Sequence, residues 1–254
     1  MKNIVLVTGA TSGFGKACAE KFAAEKYAVI ITGRRQDRLL RLQQEIESKY
    51  GVACLPLLFD VRDKKAVFDI IQSIPEEWQS INILVNNAGL ALGRDYFEEA
   101  DMDDWETMID TNLKGLLYVS RAVLPFMIKA GVGHIINIGS IAAKEVYEKG
   151  NVYCASKSAV DAVSQGMRID LLRHGIKVTA IHPGAVETEF SLVRFKGDAE
   201  KADAVYAGYK PLNAKDIADT VWYCASLPAH VCINDLVITC TAQANATITL
   251  KKFS

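Results

Sequence analysis

Short runs of aliphatic and β-branched residues alternate along this chain with longer segments whose apolar positions recur every three or four residues. Ile4–Val7 predicts a strand, Gly13–Glu25 a helix, Ala28–Thr32 a strand, and Gln36–Tyr50 a helix with Leu39, Leu42 and Ile46 on one side. The alternation continues through Val52–Phe59, Lys64–Ser73 and Ile81–Val85, and later through the strands Gly133–Gly139, Lys177–His182 and Leu236–Thr239. Strands that alternate with helices form βαβ units, which require a parallel sheet covered on both faces. The early strands are apolar at nearly every position, as strands buried on both sides must be. The expected fold class is therefore α/β, doubly wound.

No Pro- or Ser-rich linker and no shift in composition divides the 254 residues, so residues 1–254 are read as one domain. One segment stands apart. Residues 190–210 are polar, are broken by Gly197 and Gly208, and carry interspersed aromatics. In a doubly wound sheet this stretch follows a late strand, where a substrate lid belongs.

The formal net charge of -1, with no acidic or basic block, excludes the electrostatic footprint of a nucleic-acid binder and gives no reason for a membrane surface. The six cysteines form no C-x-x-C pair and the four histidines are scattered, so neither a metal site nor a disulfide framework is expected. The apolar run after Met1 is too short for the core of a signal peptide, and no stretch is long enough to span a bilayer. A cytoplasmic protein with reduced thiols is the expectation.

The first strand runs into Thr8-Gly-Ala-Thr-Ser-Gly-Phe-Gly15, which opens the first helix. Glycines here allow a tight turn and a close approach of backbone to a ligand, and a helix N-terminus offers free N–H groups to phosphate. Gly9, Ala10, Thr11, Ser12, Gly13 and Phe14 are the candidate contacts. At the end of the second strand, where a carboxylate would bind the ribose 2′-hydroxyl of NAD, the chain has Gly33-Arg34-Arg35. Two guanidiniums without an acid select the 2′-phosphate of NADP.

Tyr153 and Lys157 are one helical turn apart on a shared face. A tyrosine exchanges protons poorly at neutral pH unless a nearby cation favours its phenolate. Ser140 ends the strand thirteen residues earlier, where its hydroxyl can reach the same carbonyl oxygen. Tyr206 and Lys210 repeat the spacing, but Val193 stands where a serine would be needed, so that pair is assigned to the lid surface.

Together with Asp60-Val61, Asn86-Asn-Ala-Gly89, Asn112 and Pro183-Gly184, these pieces resemble the short-chain dehydrogenase/reductase family over essentially the whole chain. The resemblance implies a Rossmann fold with a seven-stranded parallel sheet flanked by helices on both faces. It implies that Asp60 and Val61 hold the adenine, and that Asn87, Ala88 and Gly89 support the cofactor. Lys157 also holds the nicotinamide ribose, Pro183, Gly184, Val186 and Thr188 meet the carboxamide end, and Asn112 anchors a proton-relay water.

Longer stretches, among them Thr32–Leu39, Asn86–Gly93, Trp105–Asn112 and Glu189–Asp198, resemble the NADP-dependent 3-hydroxy acid dehydrogenase branch, which acts on serine-like acids and malonic semialdehyde. Ala143 departs from that branch's usual glycine, and the tail from Val237 does not match it. Sulfoacetaldehyde reductase chemistry therefore stays open. A 3-oxoacyl reductase is the runner-up, although no basic docking surface for an acyl carrier is visible. The alternative of an NADP sensor without turnover is disfavoured because Ser140, Tyr153 and Lys157 are all present. A small anionic substrate calls for a cation, and Arg194 and Lys144 are the candidates beside Ser140 and Tyr153. The nearly all-apolar run Leu113–Met127 predicts a helix covered by a partner subunit, hence a homodimer or homotetramer.

Overall fold

The computed structural model describes residues 3–252, so Met1, Lys2, Phe253 and Ser254 lie outside it. Strands β1 (Ile4–Val7), β2 (Ala28–Gly33), β3 (Cys54–Leu58), β4 (Ile81–Asn86), β5 (Gly133–Ile138) and β6 (Ile176–Pro183) alternate with helices. These helices are α1 (Gly13–Ala24), α2 (Gln36–Tyr50), α3 (Lys64–Gln72), α4 (Met102–Ile109), α5 (Leu116–Ala130) and α6 (Asn151–Leu171). Beyond β6 come the short strand β7 (Val186–Glu187), helices α7 (Glu189–Arg194) and α8 (Ala199–Ala204), strand β8 (Leu212–Asn213), helix α9 (Ala214–Ser226) and strand β9 (Asp235–Ile238). Seven strands form one parallel sheet in the order β3-β2-β1-β4-β5-β6-β9, and β7 pairs with β8 separately. The expected doubly wound sheet is present.

Strand alternation divides the core. Val5 and Val7 of β1 face Phe22, Leu39, Leu42 and Val221 from α1, α2 and α9. Ile4 and Leu6 face the opposite side, against Val67, Ile71, Val119, Val123 and Met127 from α3 and α5. The strand order reverses at β1, which pairs with both β2 and β4, and a crevice opens at the carboxyl ends of those strands.

One local feature differs from expectation. The helix expected from Leu113 is preceded by a π-helical turn, Asp110–Gly115, so α5 begins only at Leu116. The wider turn lets Asn112 point inward and Gly115 press on Val61, where a Cβ would come within 2.7 Å of Val61 Cγ2. On α5, Leu117 and Ile128 remain exposed, as do Ile169 and Leu172 at the end of α6 and just beyond it. No helix among the described residues is long and apolar enough to cross a membrane.

Candidate active site

The turn after β1 is built by close approach. Gly9 has φ +64°, and a Cβ there would lie 3.0 Å from Ala88 Cα; one on Gly15 would lie 2.4 Å from the Gly9 carbonyl oxygen. Asn87 fastens the turn, its Nδ2 donating to the carbonyls of Thr8 (2.8 Å) and Gly9 (3.2 Å). In return the Thr8 hydroxyl accepts from the N–H groups of Asn87 and Ala88. Ser12 caps α1 without a side-chain bond to it, so the first N–H groups of the helix face a cleft of about 280 Å³. Gly9, Thr11, Ser12, Gly13, Phe14, Arg34, Arg35, Asp60, Val61, Asn87, Ala88 and Gly89 all line that cleft. Ala10 does not: it is fully buried beneath the turn, its N–H donating to the Thr32 carbonyl.

The cations at the mouth are already engaged. Arg35 donates to the Thr11 hydroxyl (2.8 Å) and the Ser12 hydroxyl (2.9 Å), and its Nη1 meets Glu189 at 3.3 Å. Arg38, one turn further along α2, holds the same Glu189 at 2.9 Å. Arg34 lies 3.5 Å from Asp60, which Arg62 grips at 2.7 Å. Burial works to raise the Asp60 pKa, but the Arg62 guanidinium and backbone N–H outweigh it and hold the carboxyl below its ordinary value.

Ser140 lies two residues beyond β5 and caps the short turn Ile141–Ala143, its hydroxyl accepting from the Ala142 N–H at 3.1 Å. Tyr153 and Lys157 project from α6 and are both buried. Burial pushes the Tyr153 phenol well above its ordinary pKa, with Tyr147 adding to the rise, while a hydrogen bond with Ser140 and the charge of Arg194 oppose it. Burial lowers Lys157 from 10.5 to about 8, and its ammonium donates to the Ile138 carbonyl at 3.0 Å. Asn112 stands behind this pair rather than in the cleft. It exchanges hydrogen bonds with the backbone of Leu90 and donates to Ser156, and a Cβ on Gly89 would touch both Asn112 Oδ1 and Lys157 Nζ.

A second cavity of about 740 Å³ meets the first at Phe14, Gly139, Tyr153, Thr188 and Phe190. Ser140, Pro183, Gly184, Val186 and Arg194 line it. Arg194, at the end of α7, donates from Nη1 to the Tyr147 hydroxyl at 3.0 Å and from Nε to the Gly93 carbonyl. Its guanidinium lies 5.6 Å from the Tyr153 ring centre, and its Nη2 is buried without a hydrogen-bond partner among the described residues. The tail closes the far side of the cavity with Gln243, Thr247 and Lys251.

Two expectations are corrected. Lys144 does not reach the cavity, because its ammonium is held between Asp161 and Asp235 behind Ser140. Tyr206 is not a surface residue of the lid: it is half-buried, lines the larger cavity, and donates to the Val186 carbonyl at 2.8 Å. It follows the end of α8, so it shares no helical face with Lys210. The sequence reading missed Glu189, Arg38, Tyr147 and Gln243. Arg38 alone carried a local signal, its three-residue spacing from Arg35 on α2.

The family model described as short chain dehydrogenase matches residues 3–198. The chain is 47% identical over 245 residues to sulfoacetaldehyde reductase 2 of Chromohalobacter salexigens, covering 96% of each chain. It is 49% identical to the NADP-dependent 3-hydroxy acid dehydrogenase YdfG of Escherichia coli strain K12, covering 96% of this chain and 97% of that one. A solved structure described as the closed form of serine dehydrogenase complexed with NADP+ superposes with a TM-score of 0.91 at 47% identity. It covers 98% of this chain and 100% of that one.

Proposed function

Because the chain belongs to the short chain dehydrogenase family, we propose that it moves a hydride between NADP(H) and a small hydroxy acid or its semialdehyde, of the 3-hydroxy acid, L-serine or malonic semialdehyde type. The observation that carries this reading is the position of Tyr153. It is the one tyrosine shared by the two cavities, beside Ser140 and one turn from Lys157.

The coenzyme fits the smaller cleft on the cleft's own chemistry. The glycine turn and open α1 N-terminus would hold a diphosphate, Arg34 and Arg35 would donate to the 2′-phosphate, and Asp60 and Val61 would border the adenine. Bound there, NADP(H) supplies or accepts the hydride. The chain's own residues handle the proton. Burial keeps Tyr153 protonated at rest, so in reduction its phenol gives a proton to the carbonyl oxygen that Ser140 also contacts. The phenolate left behind lies near Lys157, which with a pKa of about 8 is cationic at neutral pH and stabilises it. Asn112, bonded to Leu90 and Ser156 beside Lys157, orders the route by which the proton is replaced. Pro183, Gly184 and Val186 line the larger cavity and Thr188 its junction with the smaller one, where the carboxamide end and the reacting carbon would sit.

Arg194 is the cation for the substrate's anionic group: it overlies Tyr153 and has an unused buried donor. The same fork suits a sulfonate. With the Chromohalobacter relative, this favours sulfoacetaldehyde as the second substrate reading. The exposed Leu117 and Ile128 on α5 and Ile169 on α6 support a dimer or a tetramer of two-fold design.

The test follows NADPH absorbance with malonic semialdehyde, with NADH and Tyr153→Phe as controls. NADPH oxidation that the variant loses supports the reading. Tight NADPH binding without turnover, on this substrate or on sulfoacetaldehyde, rejects the substrate class.

A further inference from the structure

Behind Ser140, away from both cavities, four ionisable side chains converge from four elements. His182 on β6 is fully buried. Its Nδ1 lies 3.1 Å from the Ser140 carbonyl oxygen, and its ring lies so close to Gly139 that a Cβ there would come within 2.5 Å of Nδ1. Its Nε2 faces Asp161 Oδ1 of α6 at 3.6 Å and Asp235 Oδ2 of β9 at 3.5 Å. Neither Nε2 nor Asp161 Oδ1 has a hydrogen-bond partner among the described residues. Lys144, just past the turn that Ser140 caps, donates to both carboxylates, and Gln165 of α6 completes the surroundings of Asp161.

A neutral imidazole has one N–H and one lone pair. A carbonyl oxygen only accepts, so contact with Ser140 needs the proton on Nδ1. Two carboxylates also only accept, so contact with them needs it on Nε2. One proton cannot serve both sides, and the conflict is settled by whatever other cation the carboxylates have. Here that cation is Lys144. With its ammonium bridging Asp161 and Asp235, the carboxylates have less need of a proton on Nε2, and Nδ1–H is left for Ser140. Burial lowers the His182 pKa, and the Lys144 charge adds to that against the pull of Asp235, so the ring is neutral near pH 7.

We propose that Lys144, Asp161, Asp235 and His182 form a positioning cluster for Ser140, in which Lys144 satisfies the carboxylates so that His182 holds the Ser140 backbone through Nδ1–H. Lys144 then serves the reaction without touching substrate. This role of the cluster rests on Ser140 and Tyr153 being the reaction centre, which full activity in Tyr153→Phe would disprove. The state of the ring can be read without turnover.

Ring-nitrogen NMR on histidine-labelled protein, assigned with His182→Asn, should show His182 protonated at Nδ1 and bare at Nε2 near pH 7. In Lys144→Met the His182 pKa should rise, and KM for the anionic substrate should stay within about 3-fold, because no substrate contact is lost. His182→Ala should lower kcat by roughly 10- to 100-fold with NADPH affinity unchanged, the scale of a displaced catalytic group. His182→Asn, whose amide N–H can replace Nδ1–H, should recover to within about 5-fold. A proton on Nε2 in the native enzyme, an unchanged kcat in His182→Ala, or a KM raised about 10-fold or more in Lys144→Met would each overturn the proposal.

Discussion

Replacing Lys157 by Met should abolish turnover with NADPH and make the coenzyme-free protein more stable at neutral pH. The ammonium is buried, and its pKa falls from 10.5 to about 8 because of that burial. Holding the charge at pH 7 therefore costs the fold about 3 kcal/mol, at 1.36 kcal/mol per pH unit. Methionine has a similar length and removes the charge, but it leaves the Ile138 carbonyl without its donor, a loss of about 1.5 kcal/mol. The net gain is about 1–2 kcal/mol, or roughly 2–6 °C in Tm for a domain of this size. The sign reverses the usual ion-pair case. The folded pKa lies below the unfolded one, so the unfolded chain binds the extra proton between about pH 8 and 10.5, and native stability rises through that window. The variant's advantage should be complete below pH 8 and close to zero by about pH 9.5, where the remaining charge cost and the lost hydrogen bond cancel. Calorimetry at fixed protein concentration, without coenzyme, at pH 7 and 9.5 measures this. A variant less stable at pH 7, or equally shifted at both values, would refute the claim that burial strains this lysine.

Other expectations follow from the same geometry. Tyr153→Phe should lower kcat by about 10²- to 10⁴-fold while NADPH fluorescence still reports binding, since only the phenolic proton is lost. Arg35→Leu should raise the Kd for NADPH by about 10- to 100-fold and change NADH binding far less, because a charged hydrogen bond to the 2′-phosphate is removed; equal losses for both coenzymes would remove Arg35 from that role. Arg194→Met should raise KM for malonic semialdehyde by about 10-fold or more and leave an uncharged aldehyde nearly unaffected. Phe22→Ala, in the core between β1, α1 and α9, should cost about 3–5 kcal/mol in unfolding free energy and leave KM unchanged.

Whatever depended on local pattern could be read from the sequence. The alternation of apolar strands with amphipathic helices placed α2 at Gln36–Tyr50 and β1 at Ile4–Val7, and the glycine turn was placed because strand, turn and helix are contiguous. Tyr153 and Lys157 were paired because a helix fixes their spacing. The π-helical turn at Asn112 was not legible, since its cause is the fit of Gly115 on Val61 more than fifty residues away. The tail from Cys240 was equally opaque. Gln243 donates to the Asn245 carbonyl and accepts from the Ala185 N–H, a contact across 58 positions.

The two substrate cations separate these cases. Lys144 follows Ser140 closely in sequence and Arg194 falls in the expected lid segment, and both carry the right charge. What distinguishes them is the partner each finds at a distance. Lys144 meets two carboxylates, Asp161 and Asp235, brought together by α6 and β9, so its charge is already compensated. Among the described residues, the Arg194 guanidinium bonds a tyrosine hydroxyl and a backbone carbonyl and overlies the Tyr153 ring, contacts that hold it without neutralising it. An uncompensated guanidinium with a spare buried donor is stabilised by an incoming anion, whereas a bridged ammonium gains little. Charge nominates both of these cations for the substrate, and the absence of a counter-ion among the described residues selects Arg194.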